Sequence, residues 1–379
     1  MLPYQAASLA LIPSAYLNAL GIAEGLRAVG WPGRVVCLDI EPQKEALTGR
    51  YPELCETISL STTQAQDLPA WVEKQISTIS GNVLFFTDER FQEQFARHYG
   101  DRKPAYLQYW PGSQPYFDRI CQRAAFYAFV NQHTPVETPR LLPGTEDPWS
   151  VFPDGFYLRV NRSWQQTRKL PRGRVILTPL ELRQAIALYQ EQALSANDWF
   201  YQELLSTRPE DNLSICGWHA PGQRTYFATQ PRQRLKNGTA VVVQQVPAPA
   251  NLLQTTRTIL EQLEYAGPFE MEFVRAPHTG VYKVIELNPR FWMQHRFVDR
   301  AANQVLIRRY LGLAVEETSV PLSQTHFWID RIGALEMLTG GHLGVLPYLL
   351  RPGSAYPSWG KALHFFLNAH RPWDRPKKP

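Results

Sequence analysis

Charged residues are scarce in this sequence, whereas proline is frequent. Charged side chains make up 19% of the 379 residues, against about 25% in an average globular protein. Hydrophobic residues make up 44%, which is enough for a sizeable core and excludes a disordered chain. With 31 prolines also present, the composition excludes a coiled coil and a low-complexity polymer.

Cysteine is also rare, and its spacing excludes two common structural uses. The four cysteines are Cys37, Cys55, Cys121 and Cys216, and none belongs to a C-x-x-C pair or has the spacing of zinc ligands. Scattered cysteines in a chain of this length predict a reduced, cytoplasmic protein without structural disulfides.

Long uninterrupted hydrophobic runs are missing. The first 23 residues carry no charge, but Pro3 and Pro13 interrupt them and no basic residue precedes them, which argues against a signal peptide. The second apolar stretch, Ile332–Leu350, contains Glu336 and Pro347, so no transmembrane helix is predicted. An interfacial segment is the alternative for this stretch.

The net charge of +5 is confined to the C-terminal region. Residues 1–350 sum to zero, and residues 351–379 hold the whole excess. A neutral body does not predict nucleic-acid binding. Aromatic residues interleave with the basic ones here. Attachment of residues 332–379 to a membrane surface is therefore an alternative to a packed C-terminal element with a disordered end.

The first part of the chain has the pattern of a doubly wound α/β domain. Apolar runs of strand length alternate with stretches of helical spacing at Ser8–Ile12, Leu17–Val29, Arg34–Ile40, Val83–Thr87 and a helix that carries Phe91, Phe95 and Tyr99. Strand–helix–strand at this spacing predicts a parallel pair with a right-handed crossover.

The rest of the chain predicts a mixed arrangement of helices and antiparallel strands. The predicted helices are residues 118–134, Pro179–Gln192 and Asn251–Tyr265. The predicted strands are Phe156–Val160, Arg174–Leu177, Trp199–Leu205, Leu213–Trp218, Arg224–Thr229, Ala240–Gln245, Phe269–Val274 and Val281–Leu287. The whole pattern is α/β followed by α+β.

The hairpin at residues 269–292 contains the strongest candidate for chemistry. Glu286 and Asn288 lie two apart on its second strand, so their side chains leave the same face, and Glu272 lies on the preceding strand. Three oxygen ligands on adjacent strands suit Mg²⁺. Arg290 follows at once, and a cation beside carboxylates fits a site that handles phosphate or a substrate carboxylate. The alternative is a solvated strand end with an Asn-Pro turn.

These residues give the sequence a resemblance to the ATP-grasp superfamily. ELNPRFW at 286–292 resembles the metal-binding E-x-N-P-R element, and FYQELLS at 200–206 resembles the strand that frames adenine. The loop at 159–174 occupies the place of the phosphate-covering hairpin. Residues 8–40 resemble the preceding domain of the carboxylate–amine ligase branch, in which the D-aspartate ligase-like group looks most similar.

The resemblance implies an ATP-grasp fold with an N-terminal Rossmann-like (pre-ATP-grasp) domain at 1–105. An ATP-grasp domain would follow at 106–310, and a C-terminal helical element with the basic tail at 311–379. The implied cofactors are ATP and one or two Mg²⁺ ions, with Mn²⁺ as a substitute. The implied partners are small, amino-acid-like carboxylate and amine substrates.

The resemblance also implies residue roles. The implied metal ligands are Glu272, Glu286 and Asn288; the adenine-framing residues are Gln202, Glu203, Leu204 and Leu205; the ribose ligand is Glu210, with Asp211 as the substitute. The implied phosphate contacts are Arg159 and Lys169, and the residues for the transferred phosphoryl group and the acyl substrate are Arg290 with Arg232 or Arg234.

The sequence departs from the family pattern at two places that bear on catalysis, so it is compatible with two functions. Arg159 stands where a lysine is usual, which keeps the charge but replaces a compact ammonium with a planar fork. The loop from Asn161 to Leu170 has no glycine that would let the backbone approach phosphate closely. The first function is an ATP-dependent ligase that forms an amide through an acyl phosphate. The second is a catalytically degenerate nucleotide-binding or scaffold protein, with the membrane surface as an alternative location.

Other chemistry is not indicated. The sequence has no P-loop, no dinucleotide fingerprint and no nucleophile-elbow motif. His295 follows the metal motif but is predicted to be a packed or surface residue, and Asp39 at a strand end is predicted to be structural.

Overall fold

The structure of the chain is a computed structural model, which describes residues 4–40, 46–76, 81–100, 102, 104–110, 119–161, 173–235, 238–315, 327–349 and 354–369. Lys169 and the basic residues after position 369 lie outside these ranges. The predicted roles of Lys169 and of the tail are therefore not addressed by the structure.

Five of the described strands form a parallel sheet in the order β3-β2-β1-β4-β5. The elements are β1 (Leu9–Ile12), α1 (Leu17–Ala28), β2 (Arg34–Asp39), β3 (Glu56–Ser59), α2 (Thr62–Gln66), α3 (Leu68–Ile76), β4 (Asn82–Leu84), α4 (Glu89–Tyr99) and β5 (Leu107–Gln108). The parallel pairing of β1 with β2 confirms the predicted strand–helix–strand unit. Gly30 follows α1 with a positive φ of 76°, a conformation in which glycine commonly ends a helix.

Two predicted strands extend two or three residues too far, and proline explains both. The fourth strand was expected to run to Thr87 but ends at Leu84. Its neighbour β1 is followed by Pro13, which has no amide hydrogen to continue the ladder. The strand expected at 199–205 ends at Glu203, whose amide still donates to the Arg140 carbonyl. Beyond that point the partner segment reaches Pro139, which again has no amide hydrogen.

A small antiparallel sheet, in the order β6-β9-β7-β8, follows in the chain. Its elements are α5 (Arg123–His133), β6 (Leu141–Pro143), β7 (Phe156–Val160), β8 (Gly173–Ile176), α6 (Pro179–Glu191) and β9 (Trp199–Glu203). Thr178 caps α6 in a capping box with Glu181. The helix expected from residue 118 is described as α5 only from Arg123.

Seven of the described strands form a larger sheet, in the order β14-β13-β10-β11-β12-β15-β16. The elements are β10 (Asn212–Ala220), β11 (Gln223–Arg234), β12 (Ala240–Val246), α7 (Ala250–Gln262), β13 (Gly267–Arg275), β14 (Tyr282–Asn288), α8 (His295–Ala301), α9 (Val305–Tyr310), β15 (Phe327–Asp330), α10 (Arg331–Thr339), α11 (Leu346–Leu349), β16 (Ser354–Tyr356) and α12 (Trp359–Ala369). All neighbours are antiparallel except β15 and β16.

The large sheet has a different core on each face. Met271 and Leu287 pack with α5 and α7 on one face. Cys216 and Phe227 on the other face belong to one continuous core with Phe85 of the N-terminal domain. The N-terminal domain is therefore packed directly onto the large sheet, and the polar residues of the β13–β14 hairpin lie at this junction.

The C-terminal elements continue the large sheet. Helix α12 buries Ala362 and Phe365 and exposes Trp359, Leu363 and Leu367. No helix among the described residues is long and apolar enough to cross a membrane. Strand β5 joins the parallel sheet just beyond residue 105, and β15 and β16 join the large sheet beyond residue 310. The domain limits given above stay predictions.

Candidate functional site

Four polar side chains meet on one face of the β13–β14 hairpin. Glu272 lies directly opposite Glu286, and Glu270 lies directly opposite Asn288. Residues two apart on a strand share a face, so the three residues predicted as metal ligands are brought together. Two carboxylates directly opposite each other repel, and this arrangement therefore needs compensating positive charge nearby.

A β-bulge in β14 sets which side chains of the hairpin reach this cluster. The pairing shifts between Glu272–Glu286 and Phe273–Val284, which leaves Ile285 as the extra residue. Val284 therefore lies in the apolar core, although it is only two residues from Glu286. In an unbroken strand, alternation would place both side chains on the same face.

Two buried arginines hold the carboxylate of Glu286. Arg123 on α5 donates to Oε1 at 3.1 Å, and Arg159 on β7 donates to Oε2 at 3.3 Å. The two side chains are only 4% and 8% exposed. Each carboxylate oxygen is thus paired with a desolvated cation. Loss of the carboxylate would leave two uncompensated charges in the interior.

The surroundings act differently on the two guanidinium groups. Burial lowers the pKa of Arg123, although the charge of Glu286 opposes this effect. Burial also acts to lower the pKa of Arg159, but Tyr127 and Glu286 outweigh it and the pKa is raised. The Nε atoms of both arginines are buried, and within the described residues they have no hydrogen-bond partner. They are donors that a bound anion could satisfy.

Arg290 links the cluster to the N-terminal domain. Its Nε donates to Glu89 at 3.0 Å and its NH2 donates to Asn288 Oδ1 at 3.3 Å. Asn288 in turn donates to Glu272 at 3.2 Å and to Glu270 at 3.3 Å. Burial acts to lower the pKa of Arg290, but the carboxylates led by Glu89 outweigh it and raise the pKa. Glu89 follows the carboxyl end of β4, where parallel sheets bind ligands.

Glu270 is a member of this cluster that the sequence analysis did not select. Burial of its carboxyl raises its pKa to about 8, and the charges of Glu272 and Glu286 add to this effect against Arg290. Near neutral pH the carboxyl of Glu270 is therefore mostly protonated.

Gln202, predicted to frame adenine, is connected to the cluster. Its Oε1 accepts from Arg159 at 3.5 Å and lies 3.2 Å from the Tyr127 hydroxyl. Tyr127 also donates to the carbonyl of Ile285, the bulged residue, at 2.8 Å. The side chain of Gln202 is buried, and its carboxamide is one of the groups that surround Arg159.

Glu203 forms a separate ion pair beside the site. Its Oε1 accepts from the buried Lys283 at 2.8 Å, and its Oε2 accepts from the amide of Arg140 at 2.8 Å. Lys283 also lies 3.3 Å from Glu137. The carboxylate therefore fixes the end of β9 against β14, next to the residues expected to frame adenine.

The remaining predicted residues make no recorded contact with the cluster in the described part of the chain. Leu204 and Leu205 are half-buried after the end of β9, and Glu210 is exposed, with its carbonyl accepting from Gln230. Asp211 accepts from Ser206 at 2.5 Å and lies 3.7 Å from Arg275. Arg232 donates to Gln244 at 2.6 Å, and the buried Nε of Arg234 has no hydrogen-bond partner among the described residues. Their ligand roles stay predictions.

A small cavity opens beside the Arg123–Glu286 pair. Its lining includes Glu89, Phe126 and Leu287 in addition to that pair. The cavity therefore lies between the N-terminal domain, α5 and the hairpin, and charged groups of both signs face it.

The hairpin residues offer ligand types that suit Mg²⁺, but they do not complete its coordination shell. Glu272, Glu286 and Asn288 offer two carboxylates and an amide oxygen, which are the hard ligands that Mg²⁺ prefers. Among the residues that the structure describes, no three acidic, histidine or cysteine side chains are arranged to hold a metal ion. The fit therefore depends on Asn288 and on further oxygens from water or substrate.

Five functional candidates were missed by the sequence analysis: Arg123, Glu270, Tyr127, Lys283 and Glu89. The sequence did contain one signal, since Glu270 precedes Glu272 by two residues and alternation places both on the same face. Lys283 lies on β14 itself, whereas Arg123, Tyr127 and Glu89 come from distant segments that only tertiary packing brings to β14.

Comparisons with known proteins identify the fold. No protein-family model matches the sequence, and no curated protein matches it. N5-carboxyaminoimidazole synthetase from Staphylococcus aureus, complexed with ADP, is similar in structure, with a TM-score of 0.65 and 13% identity over 90% of this chain and 88% of that one. An ADP complex of N5-carboxyaminoimidazole ribonucleotide synthetase gives 0.64 and 16%, over 92% and 86% of the chains.

A third similar structure comes from a different kind of enzyme. The biotin carboxylase domain of the Hydrogenobacter thermophilus 2-oxoglutarate carboxylase, in complex with MgADP, ADP and bicarbonate, gives a TM-score of 0.64 and 11% identity over 86% and 74% of the two chains. These likenesses confirm the predicted fold class. The chain has an ATP-grasp fold with an N-terminal Rossmann-like domain.

Proposed function

We propose that this chain is an ATP-dependent carboxylate–amine ligase that forms an amide through an acyl phosphate. The observation that carries the proposal is the pair Glu272–Glu286 with Asn288, set among the buried guanidinium groups of Arg123, Arg159 and Arg290. Phosphoryl transfer requires carboxylates that hold a metal ion and, beside them, cationic side chains that bind phosphate. The ADP-bound proteins of similar fold support the same use of the site.

The hairpin residues would bind the metal ion. Glu272, Glu286 and Asn288 would hold one or two Mg²⁺ ions, which supply charge neutralisation for the nucleotide phosphates when bound. Arg290 donates to Oδ1 of Asn288 and so fixes the position of that amide. The hydrogen bond from Asn288 to Glu272 keeps the two ligands on the same face.

The arginines would position the reacting groups. Arg159 would contact the nucleotide phosphates, and Arg290 would hold the transferred phosphoryl group or the acyl substrate. A substrate carboxylate oxygen would attack the γ-phosphorus and ADP would leave. The amine nitrogen would then attack the acyl carbon, with loss of phosphate and a proton. The chain needs no covalent nucleophile, because positioning and charge stabilisation supply the catalysis.

The substrates would be small and amino-acid-like. The resemblance of residues 8–40 to the carboxylate–amine ligase branch, in which the D-aspartate ligase-like group looks most similar, supports this choice. The acid and the amine would approach from the cavity side of Arg290, where Glu89 and the N-terminal domain limit the space.

A second function is favoured by one specific observation. Both oxygens of Glu286 are already occupied by arginines, and the loop after Arg159 has no glycine before Gly173. A chain that binds nucleotide without turnover would also show these features. Calorimetry separates the two functions, because ATP binding without ADP formation across all substrate pairs indicates the non-catalytic protein.

The test of the ligase function is substrate-dependent ADP release. Wild-type protein with ATP and Mg²⁺ is screened over amino acids and small carboxylates, and the amide product is identified by mass spectrometry. Glu286→Gln and Asn288→Ala are expected to lower the rate about 100-fold or more, because metal and transition-state contacts are lost.

The matched control is Glu191→Gln, which removes the same charge at an exposed position near the end of α6. It is expected to keep the wild-type rate. Unchanged ADP release in Glu286→Gln would contradict the assignment of the site.

A further inference from the structure

The exposed apolar side chains are concentrated in the C-terminal elements. Nine large hydrophobic side chains are exposed among the described residues, and five of them lie between positions 343 and 367: Leu343, Leu346, Trp359, Leu363 and Leu367. Single exposed apolar residues are ordinary on a protein surface, whereas a concentration of them marks a surface that contacts another apolar phase. Three of the five belong to one helix, α12.

Trp359, Leu363 and Leu367 form a stripe along α12, which we call the outer stripe. The three residues are spaced by four, so their side chains follow one side of the helix. Their exposed fractions are 39%, 47% and 59%. The sequence of α12 contains one lysine and no acidic residue. The outer stripe is therefore an apolar surface without a negative charge on its own helix.

The other side of α12 is already packed against the rest of the chain. Ala362 and Phe365 are buried, and the ring of Phe365 lies 6.1 Å from that of Tyr16 in the N-terminal domain. Lys361 also contacts this domain, with its Nζ 3.2 Å from Glu53. Because these contacts hold the helix from one side, the outer stripe faces solvent in the folded protein.

The sequence that follows α12 is basic. Residues 370–379 contain four basic side chains and one acidic side chain, and a tryptophan lies among them: Arg371, Trp373, Asp374, Arg375, Lys377 and Lys378. An apolar helix face alone, or a basic segment alone, gives weak attachment to a lipid surface, and stable attachment takes two such signals. This chain has both within residues 359–379.

The charge also distinguishes between the possible occupants of the outer stripe. A symmetric contact with a second copy would bring two basic segments together, and like charges repel. A stable contact with another protein buries about 800 Å² on each partner, which is more than three half-exposed side chains on two helical turns offer. An anionic lipid surface attracts the basic segment and also takes up a small apolar stripe.

We propose that the outer stripe of α12 and residues 370–379 form an attachment surface for an anionic lipid membrane. Leu363 and Leu367 would enter the boundary between headgroups and acyl chains, and Trp359 would lie at the level of the headgroups. The basic side chains would contact the lipid phosphates. The attachment is peripheral and does not use the β13–β14 cluster, so it is independent of the ligase function.

The experiment is co-sedimentation of the full-length protein with vesicles. One preparation is phosphatidylcholine alone, and the other contains about one third phosphatidylserine. Wild type is expected to pellet with the anionic vesicles and to stay in solution with the neutral ones. Raised salt is expected to weaken the binding, because it screens the attraction between basic residues and lipid. Equal pelleting with both preparations, or with neither, would overturn the proposal.

The double variant Leu363→Gln/Leu367→Gln tests the outer stripe. It is expected to bind anionic vesicles at least about tenfold more weakly, because two apolar side chains no longer enter the lipid. Its urea unfolding should match that of wild type, since both positions are exposed. The matched control is Leu177→Gln/Leu180→Gln, which changes two leucines that are 55% and 57% exposed beside the small sheet. This control should bind as wild type does.

A second variant tests the basic segment without changing α12. Replacing Arg371, Arg375, Lys377 and Lys378 with Gln is expected to weaken binding to anionic vesicles at least about tenfold and to remove most of its salt dependence. Wild-type binding by this variant or by the Leu363→Gln/Leu367→Gln protein would overturn the proposal. Analytical ultracentrifugation without lipid tests the alternative occupant. A dimer that the Leu363→Gln/Leu367→Gln change dissociates would assign the stripe to a second copy and likewise overturn the proposal.

Discussion

At the scale of single residues, His295 shows how burial alone fixes a protonation state. The imidazole is fully buried, and its Nδ1 lies 2.7 Å from the carbonyl of Trp292. Burial lowers its pKa to about 4, against the hydrogen bond to Trp292. It makes no recorded contact with the carboxylate cluster in the described residues, so the predicted structural role fits its surroundings better than a role in the site.

This shift predicts a pH dependence of stability. Above pH about 6.5, His295 is neutral in both folded and unfolded chains. Between pH about 6.5 and 4, only the unfolded chain takes up the proton, so the free energy of unfolding falls by about 3 kcal/mol from this group. Urea unfolding of wild type and His295→Gln at pH 7, 5.5 and 4.5 measures the effect. The variant is expected to lose less stability on acidification.

The neighbouring acid Asp299 also changes its protonation in this pH range. The effect of His295 must therefore be taken from the difference between wild type and variant. Burial raises the pKa of Asp299 to about 7. A raised acid contributes in the opposite sense, since its folded form becomes relatively more stable as pH falls from 7 to about 4. Only the difference between wild type and His295→Gln isolates the histidine. The control His278→Gln, at an exposed position, should follow wild type, and parallel pH profiles for all three proteins would refute the prediction.

At the scale of elements, the β10–β11 hairpin depends on two glycines in different ways. Gly217 has a φ of 151°, and a Cβ there would lie 1.9 Å from the carbonyl oxygen of Thr225 on the paired strand. Gly222 in the turn has a φ of 73°, but a Cβ there would meet no atom within 4 Å. Gly217 is needed both for the close approach of the two strands and for its positive φ. Gly222 is needed only for its positive φ.

Gly217→Ala is expected to lower the free energy of unfolding by about 3 kcal/mol or more, because the paired backbone must shift. Gly222→Ala is expected to lower it by about 1 kcal/mol, which is the cost of a left-handed conformation. Urea unfolding of both variants measures the difference. Equal losses would show that the close approach to Thr225 relaxes without cost.

Most helices and strands of this fold were predictable from the sequence. The candidate site was predictable only in part. Apolar runs such as Arg34–Ile40 predict strands because both faces of a parallel sheet are buried. The hairpin acids were predictable because alternation on a strand is local. Arg123 was not, because it looks like any helix arginine until α5 packs against β14 and buries it. The bulge at Ile285 had no local signal either.

At the scale of the whole molecule, the N-terminal domain and the large sheet share a core. Phe291 is fully buried, with ring centroids 5.9 Å from Phe85 and 5.4 Å from Tyr310. Its amide donates to the carbonyl of Phe86 at 3.3 Å. The residue directly after Arg290 is thus fixed by the N-terminal domain, which couples the candidate site to the packing of both units.

Phe291→Ala is expected to lower the free energy of unfolding by about 3–5 kcal/mol. Because the core is continuous, circular dichroism and tryptophan fluorescence should report one coincident transition in both wild type and variant. The control Leu180→Ala, at a position 57% exposed, should stay within about 0.5 kcal/mol of wild type. Two separate transitions in wild-type protein would contradict a shared core.

The bulge at Ile285 also bears on how sequences related to this one should be aligned. Removal of that single residue would turn the shifted register into a regular ladder, with Val284 and Glu286 as alternating neighbours. The acids would keep their cross-strand partners, so a one-codon deletion here would be silent for the E-x-N-P-R signature. The carbonyl that Tyr127 uses would be lost with it, and the Tyr127 hydroxyl, which also lies 3.2 Å from Gln202 Oε1, would lose that anchor. A one-residue gap before this motif would therefore keep the acids, with Glu286 as the partner of Arg123 and Arg159, but would remove the carbonyl that holds Tyr127.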